Sequence, residues 1–175
     1  MNNFKDQLKY SYEDPGVFEE AYKRYFPGYV GSKFVENKDE QYRGIDKILF
    51  MRDGRQISVD EKKRGIDYGD ILLEIFSNDK SKRLGWSLTA ESEYICYYVV
   101  PIKTFYFMRV LEIRKWIVDN GEDIKKVLKG GNVKNIIKVV AKNPGYNTIS
   151  IAVKTQVLES CLTEFGIVKL IENIA

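Results

Sequence analysis

Apolar and polar residues alternate most clearly over residues 44–64, GIDKILFMRDGRQISVDEKKR, where two runs with strand periodicity flank Asp53-Gly54. The pattern predicts a strand over 45–52, a tight turn at Asp53-Gly54 and a strand over 55–63, because period-two alternation broken by a glycine turn is the signature of a hairpin. On the second strand Ile57 and Val59 share one face with Glu61 and Lys63, and Gln56, Ser58, Asp60 and Lys62 share the other. Loop length sets which groups meet across the pair. A two-residue loop groups Asp46 with Glu61 and Lys63; a three-residue loop with Gly54 left-handed groups Asp46 with Asp60 and Lys62. The continuous polar face favours the second, and the sequence leaves both open.

The same reading extends to the rest of the chain. Asp14-Pro15 joins an N-cap to a proline at the first helical position and predicts a helix to about Phe26, with Val17, Phe18, Ala21, Tyr22 and Tyr25 at helical spacing. A short helix over 2–10 precedes it. Residues 28–43 are polar and glycine-punctuated and read as a connecting segment. Residues 70–77, DILLEIFS, predict a third strand pairing antiparallel with the second, and 77–86 a basic loop ending in Gly85-Trp86. A hairpin over 94–110, a helix over 111–128 kinked at Asn120-Gly121, a strand pair around Asn143-Pro144-Gly145 and one or two helical pieces from 155 onward complete the chain. No repeat or linker divides it, so a single domain over 1–175 is expected.

Composition narrows the chemistry. At 175 residues, 44% hydrophobic and 30% charged, the chain has the makeup of a globular domain, and its net charge of +3 neither demands nor excludes a polyanionic partner. It contains no histidine, which removes histidine triads and histidine general bases. Cys96 and Cys161 lie in apolar surroundings without metal-ligand spacing and are expected to be buried, reduced thiols. No run approaches the roughly 18 apolar residues of a membrane span, and MNNFKDQLKY has no apolar signal core, so a cytoplasmic location and no membrane partner are expected.

Asp46 and the carboxylate after Val59 suit Mg²⁺ or Mn²⁺, hard ions that prefer oxygen ligands. A lysine two residues further on can orient a water or stabilise developing charge. Glu19 and Glu20, on the preceding helix, either face solvent or reach such an ion. Glu74 interrupts an apolar strand and needs a partner, which Lys62, Arg64 or the metal can supply. Trp86 is either a loop anchor or a base-stacking platform. The basic residues Lys62, Lys63, Arg64, Lys80, Lys82 and Arg83 suit phosphate contacts. The competing reading of the charged strand end is a solvated edge guarded by lysines.

Gly44-Ile45-Asp46, the glycine-containing turn and Val59-Asp60-Glu61-Lys62 resemble the PD-(D/E)XK nuclease superfamily, and the run from Asp70 to Glu74 with Gly85-Trp86 resembles an uncharacterised phage and bacterial branch of it. The resemblance implies an α/β (α+β) fold with a restriction-endonuclease-like mixed β-sheet flanked by helices, extended by a C-terminal hairpin and helices. It also implies a catalytic set of Asp46, Asp60 and Lys62. Asp46 and Asp60 would be the metal ligands, Glu61, Glu19 and Glu20 further candidates, and Glu74, Lys63, Arg64 and Trp86 supporting residues. Ile45 stands where the superfamily often carries proline. The expected function is a Mg²⁺- or Mn²⁺-dependent endonuclease acting on DNA in phage or defence biology, with homodimerisation left open. The alternative is a non-catalytic nuclease-fold module that binds DNA or protein.

Overall fold

Short aromatic and β-branched runs separated by turns build two β-sheets, and the parity of each strand position decides which core its side chain enters. The computed structural model describes residues 15–170. The expected helix over 2–10 and the Asp14 cap lie outside the described residues.

Helix α1 (Pro15–Tyr25) leads to β1 (Tyr29–Phe34), α2 (Lys38–Tyr42), β2 (Lys47–Met51) and β3 (Gln56–Arg64). Next come β4 (Asp70–Asn78), β5 (Arg83–Leu84), α3 (Trp86–Thr89), β6 (Tyr94–Val99) and β7 (Thr104–Arg109). The chain ends with α4 (Val110–Asp119), α5 (Gly121–Leu128), β8 (Ile136–Asn143), β9 (Tyr146–Lys154), α6 (Thr155–Cys161) and β10 (Phe165–Lys169). The first sheet runs β1-β2-β3-β6-β7-β10 and the second β5-β4-β9-β8. β3 pairs in parallel with β6, from Val59 opposite Tyr94 to Arg64 opposite Val99, which makes the first sheet mixed.

Two cores follow from this order. Leu49, Ile57, Val59, Cys96, Phe105 and Phe107 face α1 and pack against Phe18, Ala21 and Tyr22. On the other face Ile95, Tyr97 and Met108 meet Ile71, Leu73 and Ile75 of β4, Ile151 and Val153 of β9, and Ile113 and Trp116 of α4. The result is layered: α1, the six-stranded sheet, then the four-stranded sheet with α4, α5 and α6. This is a mixed α/β fold of the α+β kind. Among the described residues no helix is long and apolar enough to cross a membrane.

Four expectations from the sequence are corrected. β4 does not pair with β3; β2 and β6 occupy both edges of β3, and β4 pairs with β5 and β9 in the second sheet. The Arg64 guanidinium bonds both the carbonyl (2.8 Å) and the carboxylate of Asp70, fixing the turn that carries the chain from one sheet to the other. Residues 28–43 are not merely a connector. They contain β1 and α2; β1 is an edge strand whose Gly31-Ser32-Lys33 centre hides its strand character, and even its Val30 and Phe34 are exposed. From residue 155 onward the described residues are helical only over α6, and β10 adds a strand against β7. There Gly166 lies under the Tyr25 ring, where a Cβ would come within 1.9 Å of Cε2. Finally, Cys96 is buried but Cys161 is exposed, on the outer side of the last helix.

Candidate functional site

The site begins with the loop between β2 and β3. The Met51 N–H donates to the Arg55 carbonyl (3.0 Å), so the loop is Arg52-Asp53-Gly54, and Gly54 supplies a φ of 84°. Lys47 then lies opposite Val59 and Phe50 opposite Gln56, the register of the three-residue alternative. Just before β2, Asp46 donates its N–H to the Val59 carbonyl (2.9 Å), and its Oδ2 accepts the N–H of Glu61 (2.9 Å). These two bonds hold the Asp46 carboxylate against β3 beside Asp60.

Asp46, Asp60, Lys62, Glu74 and Trp86 line one cleft of about 470 Å³ between the two sheets. Asp60 forms its floor and has no solvent exposure. Its Oδ1 accepts from the Lys62 ammonium (2.5 Å), whereas Oδ2 is buried without a hydrogen-bond partner. Burial, only partly offset by Lys62 and reinforced by the charge of Asp46, pushes the Asp60 carboxyl up to about 7.

Glu74 reaches the cleft from β4. Burial raises its pKa, while the backbone N–H of Trp86 and the cations Lys62 and Arg83 oppose the shift. Its hydrogen-bond partner is therefore the Trp86 N–H, with Lys62 and Arg83 acting through their charge alone, and Arg64 is engaged with Asp70 instead. Trp86 packs on the core below and holds its ring 5.8 Å from the Lys62 ammonium. Gly85 makes this closeness feasible: a Cβ there would lie 2.3 Å from the Glu74 carbonyl oxygen and 2.6 Å from its Cγ. Gly85→Ala is expected to lower stability by about 1–3 kcal/mol through overpacking. Thermal unfolding checks this, with Gly31→Ala, which meets nothing within 4 Å, as the neutral control.

The remaining candidates lie elsewhere. Glu61 and Lys63 project to the opposite face of β3 by strand alternation. Glu61 accepts from the Tyr22 hydroxyl (2.5 Å) and pairs with Lys47 (3.0 Å). Glu19 joins the same cluster through Lys47 (3.3 Å), Tyr29 and Ser32, and Glu20 is exposed and paired with Arg24. Burial opposes ionisation of Glu19, but the bonds from Ser32 and Tyr29 and the charge of Lys47 hold it below the usual carboxylate range. Glu61, more deeply buried, is raised despite Lys47 and Tyr22. The sheet separates Glu19 and Glu61 from Asp60, and Glu20 pairs with Arg24, so none of the three joins Asp46 and Asp60 in the cleft.

Two features escaped the sequence reading. Tyr42 and Leu84 also line the cleft, yet Tyr42 came from a segment read as a connector. Lys47, 1% exposed, is the hub of the second cluster; a lysine at the inward position of an apolar strand was its visible signal. Among the described residues no group of three or more His, Cys, Asp or Glu side chains is arranged to hold a metal ion. No protein-family model, curated protein or solved structure matches the chain.

Proposed function

We propose that the protein is a metal-dependent nuclease that hydrolyses phosphodiester bonds in DNA, with Asp46 and Asp60 holding Mg²⁺ or Mn²⁺ and Lys62 assisting the attacking water. The observation that carries the reading is the buried Oδ2 of Asp60, which lacks a partner beside a second carboxylate in an open cleft. Buried polar atoms are ordinarily satisfied, and a hard cation is a partner of suitable chemistry. Two carboxylates leave the rest of the shell to water and phosphate oxygens, which suits ions that keep several waters. When bound, such an ion neutralises charge on a phosphodiester oxygen and lowers the pKa of a water.

The chain's own residues divide the remaining work. The Glu61 N–H orients Asp46. Lys62 rests on Asp60 and can turn its ammonium to a water or phosphate oxygen a short distance away. Gly44 (φ 71°) packs its backbone close to Ala90 and Asp60, where a Cβ would lie 3.0 Å from the Ala90 Cβ and 3.3 Å from Asp60 Oδ2. The similarity to the PD-(D/E)XK superfamily assigns the same three residues these roles, and the lack of histidine in the chain is compatible with them.

One observation favours a second reading. The Lys62–Asp60 ion pair neutralises the carboxylate that a metal would need, as in a module that binds DNA without cutting it. Cleavage of single-stranded, duplex and branched DNA in Mg²⁺ or Mn²⁺ distinguishes the two. Asp60→Ala and Lys62→Ala are each expected to slow cleavage by about a hundredfold or more. Cleavage that survives both substitutions refutes the assigned roles, and DNA binding without carboxylate-dependent Mn²⁺ uptake supports the binding module.

A further inference from the structure

The cleft wall has a composition that neither core explains. Tyr42 is 73% exposed and Leu84 46% exposed, and both line the cleft together with the partly buried Trp86. Exposed apolar side chains are scattered over the molecule, but these three gather around one polar floor, a lining that suits a flat, partly apolar ligand. The cations Lys62 and Arg83 line the same cleft, and Lys80 and Lys82 are exposed at the β4–β5 turn beside it.

Both walls are held in place. α2, which carries Tyr42, is tied down by the Arg43–Glu91 ion pair, by the Glu91 N–H on the Arg43 carbonyl (2.7 Å) and by Gln41 on the Val35 carbonyl (2.7 Å). Trp86 is fixed by the Gly85–Glu74 approach and by the Ser87 hydroxyl on the Glu74 carbonyl (2.5 Å). The basic turn is pinned where Asp79 accepts from the backbone and side-chain N–H groups of Asn147, each at 2.8 Å.

We infer that this cleft takes an unpaired nucleotide, its base against Tyr42 and Trp86 and its phosphate toward Lys62 and Arg83, so that the preferred ligand is single-stranded DNA. The inference rests on reading the cleft as a nucleic-acid site and adds the class of DNA. In a duplex the base faces are already stacked and cannot meet Tyr42 or Trp86. A cleft of about 470 Å³ with fully buried Asp60 at its floor admits one nucleotide of a flexible strand more readily than a stacked helix. Base–aromatic stacking beside a basic track is the general chemistry of single-strand binding.

The test is binding without metal. Fluorescence anisotropy in EDTA compares a labelled single strand, a duplex of the same length and an abasic strand with the same phosphates. The single strand is expected to bind about tenfold tighter than the other two. Tyr42→Ala, at a position too exposed to threaten the fold, is expected to remove most of that preference, and Tyr42→Phe to keep it. In a Trp116→Phe background, emission from Trp86 is expected to be quenched by the single strand and not by the abasic one. Equal affinity for the duplex or the abasic strand, or unchanged binding by Tyr42→Ala, overturns the inference and leaves the nuclease reading standing. Base-dependent binding without cleavage in Mn²⁺ does the reverse.

Discussion

At pH 8, Asp60→Asn is expected to melt at a higher temperature than the unsubstituted protein and, on the nuclease reading proposed above, to lose DNA cleavage. The Asp60 carboxyl titrates at about 7 in the fold against an ordinary 3.8, chiefly because it is buried. A carboxyl raised in this way binds its proton more tightly folded than unfolded. Its favourable contribution is complete below the unfolded value, declines as pH rises through the interval, and is lost above the folded value. Above pH 7 the ionised group is therefore a net burden that the Lys62 ion pair only partly relieves. Asparagine keeps the shape without the charge and is expected to gain on the order of 2 kcal/mol at pH 8, with the advantage vanishing near pH 4. Thermal melts across that range check it; parallel profiles for the two proteins refute it. Mn²⁺ at pH 8 is expected to raise the midpoint of the unsubstituted protein and leave that of Asp60→Asn unchanged.

The second large effect lies on the other face of β3. Lys47 is 1% exposed, with its ammonium 3.0 Å from Glu61 and 3.3 Å from Glu19 and a ring of Phe34 4.4 Å away. Removing Lys47 leaves Glu61 and Glu19 without a counter-charge, held only by the hydroxyls of Tyr22, Tyr29 and Ser32. Lys47→Ala is expected to lose about 3–5 kcal/mol by urea unfolding. The double change Lys47→Met with Glu61→Gln is expected to recover most of it, because the glutamine still accepts from Tyr22 and no longer needs a cation. A loss below about 1 kcal/mol for Lys47→Ala is what a surface pair would give and refutes the buried-cluster account.

What was legible beforehand was local. The β2–β3, β6–β7 and β8–β9 hairpins and the break at Asn120-Gly121 were all visible, because period-two runs, turn residues and glycine breaks act over a few positions. Alternation also put Asp60 and Lys62 on a polar face. The loop length that places Asp46 beside them depended on Gly54 adopting a left-handed conformation, for which sequence offered two solutions. Partners distant in the chain were the failures. Nothing near residues 70–78 announces that their mate is β9, and an apolar run such as Phe165–Lys169 is ambiguous between helix and strand until an edge receives it. The place of Glu19 was within reach of the sequence, since it lies three positions before Tyr22 and so beside the apolar Tyr22 face of the helix.

The cleft is shared between two sheets, with Asp46, Asp60 and Lys62 contributed by one and Glu74 and Arg83 by the other. Its shape is consequently a property of the joint between them rather than of either alone. A small molecule or protein that wedges the sheets apart would change the shape of the cleft without touching any group inside it. A brace across the same joint would have the opposite effect, which makes the joint itself a handle for control.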